Sequence, residues 1–329
     1  MKTIVTGGCG FIGSHIVDKL LEQDHEVTVL DNFSTGRIEN LEHQKNAKNL
    51  KIIEADICNQ NKMMKSFINI DWVFHLAALA DIVPSIQNPE KYFKSNVDGT
   101  FSVLQASKKH GIKRFIYAAS SSCYGIPRTH PTAETSEIYP QYPYALTKNI
   151  SEQLVIHWGK LYKLPVISLR LFNVYGTRSR TSGTYGAVFG VFLAQKLAKK
   201  PFTVVGDGNQ TRDFTYVTDI AEAFLIAAQS NIENEIFNVG SGGTYSINEL
   251  VKLLKGDVTY IPKRPGEPDC TFADITKIKK ILGWQPKISF ENGVKEVLKN
   301  IDYWNKAPVW TEKSIQDATK DWFRYLSTS

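Results

Sequence analysis

The chain has 329 residues, of which 42% are hydrophobic. This is enough for a large core, and it favours two domains or one domain with a substantial appendage. The formal net charge is +6, but the lysines are spread along the chain rather than grouped, so we expect no nucleic-acid-binding patch. A mild positive balance also suits an anionic small molecule.

The cysteines and the first residues bear on the compartment. Cys9, Cys58, Cys123 and Cys270 form no C-x-x-C pair and show no metal-ligand spacing with histidine, which favours reduced cytosolic thiols and no metal site. Met1 leads straight into an apolar segment without the pattern of a signal peptide. No apolar run approaches the roughly 20 residues of a membrane helix. We therefore expect a cytoplasmic protein with no membrane partner.

The first half of the chain alternates predicted strands with predicted helices. The strands are apolar throughout rather than alternating, which is typical of a parallel doubly wound sheet with both faces covered. The sequence predicts strands over 2–6, 26–30, 50–53, 72–76, 114–118 and 166–171, and helices over 11–22, 97–110 and 144–161.

The pattern changes after the sixth strand. Residues 175–186 are rich in Gly, Ser, Thr and Arg and predict a loop, and residues 206–209 predict a hairpin-type turn. A helix over 218–228 and a strand over 236–239 then return to the sheet. Shorter elements with several prolines follow.

A glycine-rich loop lies between the first strand and the first helix. Gly8, Gly10 and Gly13 match G-x-G-x-x-G, and Gly7 adds an overlapping match. The position after a strand and before a helix is the context that this motif requires. The glycines let the backbone turn tightly and approach a pyrophosphate at the helix N-terminus. We predict a dinucleotide site at Gly7, Gly10, Phe11, Ile12 and Gly13.

Asp31 ends the second strand, 18 residues after Gly13. A carboxylate at this point can accept hydrogen bonds from both ribose hydroxyls and would repel a 2′-phosphate, so the sequence favours NAD over NADP. Arg37 lies nearby and leaves NADP as an alternative. Further residues at the ends of the next strands are expected along the same cofactor: Asn32, Asp56, Ile57, Ala77 and Ala78. Asp56 can equally be a helix N-cap.

Tyr144 and Lys148 are four residues apart, which places both side chains on one face of a predicted helix. A free tyrosine has a pKa near 10 and is a poor base at neutral pH. A neighbouring ammonium and a positively charged nicotinamide ring favour the phenolate. Together with the glycine loop, this pair predicts an enzyme that transfers hydride.

Seven segments together resemble those of the extended short-chain dehydrogenases/reductases. They resemble above all the nucleotide-sugar group typified by UDP-galactose and UDP-N-acetylglucosamine 4-epimerases. The segments are TGGCGFIGS at the start, DN at 31–32, HLAA at 75–78, SSSCYG at 120–125, YALTK at 144–148, RLFNVYG at 170–176 and RDFTYVTD at 212–219. The resemblance covers almost the whole chain.

The resemblance implies a fold, a cofactor and a setting. It implies a Rossmann doubly wound parallel sheet over 1–172 plus 214–240, which binds NAD. A smaller, discontinuous α/β domain over 173–213 plus 241–329 is expected to bind a nucleotide-diphosphate sugar. It also implies a homodimer paired through the helices near 97–110 and 144–161, and a role in sugar-precursor or surface-polysaccharide biosynthesis.

The resemblance also assigns individual residues. Tyr144 is expected to take a proton from a sugar hydroxyl while Ser120 hydrogen-bonds the same oxygen. Asn96 matches a position near the cofactor, although it can be purely structural. The expected substrate contacts are Ser121, Ser122, Asn173, Arg212, Arg264 and Asp269, with Glu267 in the same segment as the last two.

The outcome of the reaction depends on the residues after Ser120. Related 4,6-dehydratases carry Thr-Asp-Glu before the Tyr-Gly pair, and UDP-glucuronate decarboxylases tend to carry a glutamate at the position of Ser122. Here Ser121 and Ser122 occupy those positions, and a hydroxyl is not a competent acid or base near pH 7 without help. Cys123 is expected to point away from the substrate, because side chains alternate along an extended segment.

The sequence therefore favours C4 epimerisation, with NAD reduced and re-oxidised in place. Three alternatives stay open: a dehydratase or decarboxylase with displaced acid–base groups, a dehydrogenase that releases the keto sugar, and a non-catalytic NAD-binding homologue. Residues 188–192 depart from the usual Ile-Pro of the group, which leaves the nucleotide base open. The aromatic C-terminal tail predicts core packing more than a dimer contact.

Overall fold

Seven parallel strands form the central sheet of the protein. The computed structural model describes residues 1–179 and 187–327. The central sheet has the order β11-β6-β5-β4-β1-β2-β3. Every neighbouring pair in it is parallel. The strands of the described residues are β1 (Lys2–Thr6), β2 (Glu26–Asp31), β3 (Leu50–Glu54), β4 (Trp72–His75), β5 (Arg114–Ser120), β6 (Val166–Leu171), β7 (Asn173–Tyr175), β8 (Phe202–Val205), β9 (Thr211–Arg212), β10 (Phe214–Tyr216), β11 (Glu235–Val239), β12 (Tyr245–Ser246) and β13 (Val258–Ile261).

Helices connect the strands and cover the sheet, which confirms the predicted Rossmann-type architecture. The α-helices are α1 (Phe11–Glu22), α2 (Gln60–Met64), α3 (Ile82–Gln87), α4 (Pro89–Phe93), α5 (Gly99–His110), α6 (Pro143–Tyr162), α7 (Val188–Leu197), α8 (Val217–Gln229), α9 (Ile247–Leu254), α10 (Thr276–Leu282), α11 (Phe290–Lys299), α12 (Glu312–Ala318) and α13 (Lys320–Leu326). Short 3₁₀ turns lie at Ile38–Gln44, Lys65–Phe67, Ser121–Tyr124 and Ile301–Trp304, and a π turn lies at Lys94–Asp98.

Local sequence accounts for the ends of the helices that flank the sheet. Pro143 starts α6, where its missing N–H costs nothing and its fixed φ suits a helix. Gly111 ends α5 with φ 62° and ψ 45°, a left-handed conformation that glycine adopts without strain. None of the helices among the described residues combines the length and apolarity that a membrane crossing requires.

Two sequence predictions in the second half are wrong. Tyr175 belongs to β7, which pairs with β10, rather than to a loop. Its ring is buried and stacks on Phe189 with centroids 4.5 Å apart, so tertiary packing overrides the polar composition that follows it. The remainder of that predicted loop, from residue 180 to 186, lies outside the described residues.

The turn at 206–209 exists but does not close a hairpin. Gly206 and Gly208 adopt φ values of 63° and 76°. The strand before the turn, β8, pairs with β13, and the strand after it, β9, pairs with β12. Both partner strands come from later in the chain, and no local sequence pattern predicts these pairings.

The core divides into three main clusters. One packs α1 and α8 against the sheet, through residues such as Ile16 and Phe224, and another packs α5 and α6 on the opposite face, through residues such as Leu104. The third gathers residues from Tyr175 to Ile315 around α7, α9 and α11. The division into two discontinuous domains stays a proposal, because β10 belongs to the third cluster and α8 continues directly from it.

A buried ion pair joins α6 to the sheet. Arg170 of β6 donates to Glu152 of α6 over distances of 2.5, 3.0 and 3.1 Å, and the two side chains are 5% and 4% exposed. Ser168 donates to the same carboxylate at 2.8 Å. Arg170 also donates to the hydroxyl of Tyr124, which in turn donates to Asn238 of β11. Both charges are therefore paired and hydrogen-bonded away from water.

We predict that Glu152→Gln lowers the free energy of unfolding by about 3–5 kcal/mol, because it leaves the Arg170 guanidinium buried without a compensating charge. Urea unfolding of the purified protein measures this. Glu296→Gln is the matched control, since Glu296 pairs with Lys299 at an exposed site and should change stability little. Equal losses of unfolding free energy in the two variants would contradict the stabilising role of the Glu152–Arg170 pair.

Candidate active site

One cleft of about 690 Å³ runs along the carboxyl end of the central sheet. It extends from the glycine loop, past α6, to α13 near the C-terminus. The predicted site residues that line it are Gly7, Gly10, Phe11, Ile12, Gly13, Asp31, Asn32, Asp56, Ile57, Ala77, Ala78, Ser120, Ser121, Ser122, Tyr144, Lys148, Asn173, Arg212 and Arg264. Asn96 and Asp269 do not line it.

The glycine loop can pack this tightly against the backbone around it only because Gly7 and Gly13 lack side chains. A Cβ on Gly13 would lie 2.2 Å from the carbonyl oxygen of Gly7, and one on Gly7 would lie 2.8 Å from the nitrogen of Ala77. Helix α1 begins directly after Gly10, and no side chain of the described residues caps that end. Its first-turn N–H groups and the positive end of its dipole can hold a pyrophosphate.

Asp31 is held rigidly at the end of β2. One carboxylate oxygen accepts from the backbone N–H of Cys9 at 3.0 Å and the other accepts from that of Phe33 at 2.9 Å. Burial raises the pKa of Asp31, and the two backbone donors oppose this rise. A carboxylate has room for further donors beyond these two. The geometry therefore fits a pair of ribose hydroxyls.

Two predicted cofactor positions, Asp56 and Ala77, lie farther along the same end of the cleft. Asp56 is exposed, and its side chain accepts from the N–H of Cys58 at 2.8 Å, which forms a local turn rather than the cap of α2. Asn59 caps α2 instead. Ala77 follows β4, and its N–H donates to the hydroxyl of Thr6 at 3.2 Å. Its small side chain keeps the cleft open beside Gly7.

Three hydroxyl groups meet in the middle of the cleft. The Ser120 and Ser122 oxygens lie 2.5 Å apart, where β5 ends and a 3₁₀ turn begins. Burial raises the pKa of Tyr144, the Ser120 and Ser122 hydroxyls oppose the rise, and the negative charge of Asp81 adds to it. The phenol is therefore an acid rather than a phenolate in the protein alone, and a base at this point needs a further positive charge.

Lys148 lies one turn after Tyr144 on the buried face of α6. Its Nζ sits 4.4 Å from the centroid of the Tyr117 ring. Burial lowers the pKa of Lys148 to about 7, and Glu152, one further turn along the helix, opposes the fall. His75 beneath it is also buried, and its ring nitrogens contact the hydroxyls of Thr6 and Thr100 at 2.7 and 2.9 Å. The ammonium can thus carry or release its charge near neutral pH.

Asn96 supports the cleft rather than lining it. Its amide nitrogen donates to the carbonyl of Leu79 at 3.0 Å and to the hydroxyl of Thr147 at 3.0 Å. Its amide oxygen accepts from the N–H of Leu79 at 2.8 Å. The side chain ties the segment after β4 to α6, which corresponds to the structural alternative for this residue. Its contact with a cofactor stays a prediction.

A second polar cluster lies at the substrate end of the cleft. Arg212 donates to Glu267 at 2.9 Å, and Arg264 lies 3.7 Å from the same carboxylate. Two guanidinium groups around one carboxylate can exchange it for a diphosphate, whose anionic oxygens also accept paired N–H donors. Asn173 lies beside them and accepts from the hydroxyl of Thr271 at 2.6 Å.

Asp269 lies outside this cluster. Its side chain is 75% exposed and pairs with Lys263 at 2.5 Å, beside a separate small depression. Glu267, two residues earlier, lines the cleft instead. The substrate contact predicted for Asp269 therefore stays a prediction without a position in the cleft to support it.

Asp81, Tyr142 and Trp322 are among the residues lining the cleft that sequence reasoning missed. Asp81 follows the segment after β4, and the rule that ligands bind at the carboxyl edge of a parallel sheet could have pointed to it. Tyr142 precedes Tyr144 by two residues, and that proximity was the available signal. Trp322 comes from the other end of the chain and carries no local signal. The thiol of Cys123 is buried and does not line the cleft, as predicted, but Ser121–Tyr124 form a 3₁₀ turn rather than an extended segment, so alternation is not the reason.

The donor sets of the site suit a dinucleotide better than a metal ion. Across residues 1–179 and 187–327, no group of three or more His, Cys, Asp or Glu side chains could hold a metal. The glycine loop, the fixed Asp31 carboxylate and the phenol–ammonium pair follow one another along the cleft instead.

A family model described as GDP-mannose 4,6 dehydratase matches residues 4–297. The chain belongs to this family. It lies among the nucleotide-sugar epimerases and dehydratases of the extended short-chain dehydrogenases/reductases, which confirms the resemblance.

Curated relatives of this family carry more than one activity. The chain is 38% identical over 303 residues to a protein of Methanocaldococcus jannaschii described as "Putative UDP-glucose 4-epimerase", with 90% of this chain and 96% of that protein covered. It is 34% identical over 311 residues to UDP-glucuronic acid decarboxylase 4 of Arabidopsis thaliana, with 91% and 68% covered.

Solved structures show the same range. A UDP-N-acetylglucosamine 4-epimerase of Methanobrevibacter ruminantium, in complex with UDP-N-acetylmuramic acid, is 36% identical with a TM-score of 0.86, covering 92% of this chain and 97% of that one. A UDP-glucuronic acid 4-epimerase of Bacillus cereus with UDP-glucuronic acid and NAD is 31% identical with a TM-score of 0.84, covering 93% and 99%. A dTDP-glucose 4,6-dehydratase of Streptomyces venezuelae with NAD and TYD is 26% identical with a TM-score of 0.86, covering 93% and 99%.

The lowered pKa of Lys148 predicts a pH dependence of stability. In the folded protein this amine loses its proton near pH 7, whereas in the unfolded chain it keeps it up to about 10.4. The unfolded state thus binds more protons between these values, so the stability that Lys148 contributes rises with pH from about 7 upward. Urea unfolding of the wild type and of Lys148→Met at pH 7 and pH 9 measures the difference. If the free energy of unfolding rises equally for the wild type and Lys148→Met between pH 7 and pH 9, Lys148 does not titrate in this range.

Proposed function

We propose that the protein is an NAD-dependent nucleotide-sugar 4-epimerase. The family and the activities of its relatives support a nucleotide-sugar substrate and an enzyme of the epimerase, dehydratase and decarboxylase group. The epimerase assignment within that group rests on Ser121 and Ser122. These hydroxyls stand at the point of the cleft where the related eliminating and decarboxylating enzymes carry acids.

The cofactor is assigned to the sheet end of the cleft. Gly7, Gly10 and α1 would hold the pyrophosphate of NAD, and Asp31 would accept the hydroxyls of the adenosine ribose. The NAD-bound relatives support this choice. When bound, NAD would accept a hydride from C4 of the sugar and later return it to the same carbon. The negative charge of Asp31 disfavours the 2′-phosphate of NADP.

The protein's own residues move the proton. Tyr144 takes the proton of the C4 hydroxyl as the C4–H bond breaks, and Ser120 hydrogen-bonds the same oxygen. The protonated ammonium of Lys148 on the adjacent turn, together with the positive nicotinamide ring of bound NAD, would stabilise the Tyr144 phenolate. The oxygen becomes a carbonyl, the keto sugar turns over, and Tyr144 gives the proton back to the oxygen when C4 is reduced on its other face. Over the whole cycle the sugar gives up and regains one hydride and one proton, and Tyr144 returns to its starting state.

The sugar diphosphate is assigned to Arg212 and Arg264. Both guanidinium groups line the cleft, and both already contact a carboxylate, Glu267. The diphosphate would compete for these donors, with Asn173 alongside. This leaves the sugar in the middle of the cleft, next to Ser120 and Tyr144.

A second candidate function rests on Asp81. This carboxylate lines the same cleft, and its negative charge contributes to the raised pKa of Tyr144. A carboxylate near the reacting carbon could remove a proton from the keto sugar and turn the reaction toward elimination. The candidate is a dehydratase whose base is Asp81, the residue before α3, rather than a group at the positions of Ser121 and Ser122.

Two further proposals concern the setting of the enzyme. We propose a homodimer through α5 and α6, where Phe101, Leu146, Leu161 and Tyr162 are exposed. A cytoplasmic location and a role in sugar-precursor or surface-polysaccharide biosynthesis also stay proposals that follow from the assigned activity.

The product assay separates the two candidate functions. Purified enzyme is incubated with NAD and each of UDP-, GDP-, dTDP- and CDP-glucose, and the products are followed by proton NMR and mass spectrometry. An epimerase gives a new anomeric signal at unchanged mass. A product lighter by water contradicts epimerisation, and its loss in Asp81→Asn would support the second candidate.

Tyr144→Phe is expected to lower kcat by about 10²–10⁴-fold, because it removes the group that transfers the proton. The dissociation constant for NAD should change little, since the ring is retained. Tyr139→Phe is the matched control: this phenol is 66% exposed and outside the cleft. Turnover of Tyr144→Phe at the wild-type rate would remove Tyr144 from the mechanism.

Asp31→Ala is expected to weaken NAD binding by roughly 10- to 100-fold, the value of hydrogen bonds to a charged acceptor. NADP binding should weaken less or improve, because the variant no longer repels a 2′-phosphate. Isothermal titration with both cofactors gives the ratio. An equal loss for NAD and NADP would contradict the ribose contact.

A further inference from the structure

A chain of hydrogen bonds joins the C-terminal part of the protein to the glycine loop. The hydroxyl of Tyr303 donates to the side-chain oxygen of Asn40 at 2.8 Å, and the amide nitrogen of Asn40 donates to the carbonyl of Cys9 at 2.8 Å. The backbone N–H of Cys9 in turn donates to the carboxylate of Asp31 at 3.0 Å. Asn40 is 3% exposed, so both ends of its amide depend on protein partners.

The peptide groups of Cys9 connect the two proposed contacts with the cofactor. Cys9 lies between Gly8 and Gly10 in the loop proposed to hold the pyrophosphate. Its carbonyl also accepts from the backbone N–H of Arg37 at 2.9 Å. Its own N–H is one of the backbone donors that fix Asp31, the acid proposed to bind the ribose. A shift at Cys9 would therefore disturb the glycine loop and the acid together.

Tyr303 reaches this point from the second half of the chain. It belongs to the 3₁₀ turn Ile301–Trp304, and Trp304 is 1% exposed within the third core cluster. Farther along the same segment, the carbonyl of Trp310 accepts from the side chain of Gln195 in α7 at 2.8 Å. The hydroxyl of Tyr303 thus links the core around α7 to the cofactor side of the cleft.

The Tyr303 hydroxyl also fixes the direction of the Asn40 amide. Burial raises the pKa of Tyr303, and the charge of Arg37, whose guanidinium lies 5.1 Å from the centroid of the Tyr303 ring, opposes this rise. The hydroxyl therefore keeps its proton near neutral pH and donates it to the amide oxygen. A reversed amide would set its oxygen against the Cys9 carbonyl, and these two acceptors would have no proton between them.

We propose that Tyr303 is a positioning residue for NAD. Through Asn40 it holds the glycine loop and Asp31 in their binding arrangement before the cofactor arrives, and a site ordered in advance loses less conformational freedom on binding. Tight binding suits an enzyme in which NAD is reduced and re-oxidised in place. The inference rests on the proposed placement of NAD at the glycine loop and Asp31. It extends that site to a residue beyond the segment that the family model matches, which ends at residue 297.

The test is the binding of NAD and of ADP-ribose, which lacks the nicotinamide, to Tyr303→Phe, measured by calorimetric titration. This variant loses the hydroxyl and keeps the ring. Both dissociation constants should rise by the same factor, roughly 3- to 10-fold, the effect of ordering one or two further groups on binding. Tyr325→Phe is the matched control, since Tyr325 is 55% exposed, and it should bind both ligands as the wild type does.

Two results of these titrations would overturn the proposal. One is an unchanged dissociation constant for NAD in Tyr303→Phe. The other is a loss for NAD without a loss for ADP-ribose, because the effect would then lie at the nicotinamide rather than at the glycine loop and Asp31.

A double-mutant cycle tests whether Tyr303 acts through Asn40. If it does, adding Tyr303→Phe to Asn40→Ala should weaken NAD binding no further, since the two side chains belong to one hydrogen-bond network. Fully additive losses would show that Tyr303 acts on NAD by another route and would overturn the proposal. Asn40→Ser, which is too short to join both partners, replaces Asn40→Ala in the cycle if that variant does not fold.

The Asp31→Ala titration separates this inference from the placement of the cofactor. If Asp31→Ala weakens NAD binding and Tyr303→Phe does not, the positioning role of Tyr303 is wrong and the placement of NAD stands. If neither variant weakens it, the placement at Asp31 is itself wrong, and the role of Tyr303 is overturned with it.

Discussion

The buried pair of Glu152 and Arg170 is the interaction on which the geometry of the cleft depends. It ties α6 to the middle of the sheet, and α6 carries Tyr144 and Lys148 on the same face, two turns and one turn before Glu152, respectively. Removing two charges from water is costly, so such a pair is stable only when its remaining donors and acceptors are satisfied. Here Ser168 and Tyr124 satisfy them. The same carboxylate opposes the loss of the proton from Lys148. Glu152 therefore both fixes the position of α6 and favours the charged form of Lys148.

The order of the strands supplies the rest of the arrangement. In a parallel doubly wound sheet, the loops that follow the strands gather along one edge, and that edge holds the ligand. The glycine loop follows β1, Asp31 ends β2, and Ser120 ends β5. None of these groups is near another in sequence, yet the sheet brings them to one cleft. The second half of the chain then adds Arg212 and Arg264 on the facing side.

The sequence was most informative where function depends on short-range geometry. The glycine loop, the acidic end of β2 and the Tyr144–Lys148 spacing each follow from the period of a single element, and the sheet itself follows from apolar runs. It was least informative where partners are distant. Tyr175 is a strand residue because of rings from three other segments, and the strands beside the turn at 206–209 pair with segments more than 30 residues later. Glu267 and Asp269 are both acidic residues of one short segment, and the sequence does not distinguish them. Only the path of the loop places Glu267 in the cleft and Asp269 outside it.

The chemistry that separates the related enzymes is confined to a small part of this cleft. In the proposed function, oxidation at C4 depends on the phenol of Tyr144, the hydroxyl of Ser120 and the ammonium of Lys148. Once C4 is a carbonyl, the proton on C5 becomes acidic, and a carboxylate placed beside it would draw the reaction toward loss of water. Hydroxyls such as those of Ser121 and Ser122 have no such basicity near neutral pH, so in the proposed function they would contact the sugar without consuming the intermediate. Under the proposed epimerase function the keto sugar would then turn over and be reduced on its other face, and Asp81 is the carboxylate of the cleft that would instead divert it toward loss of water.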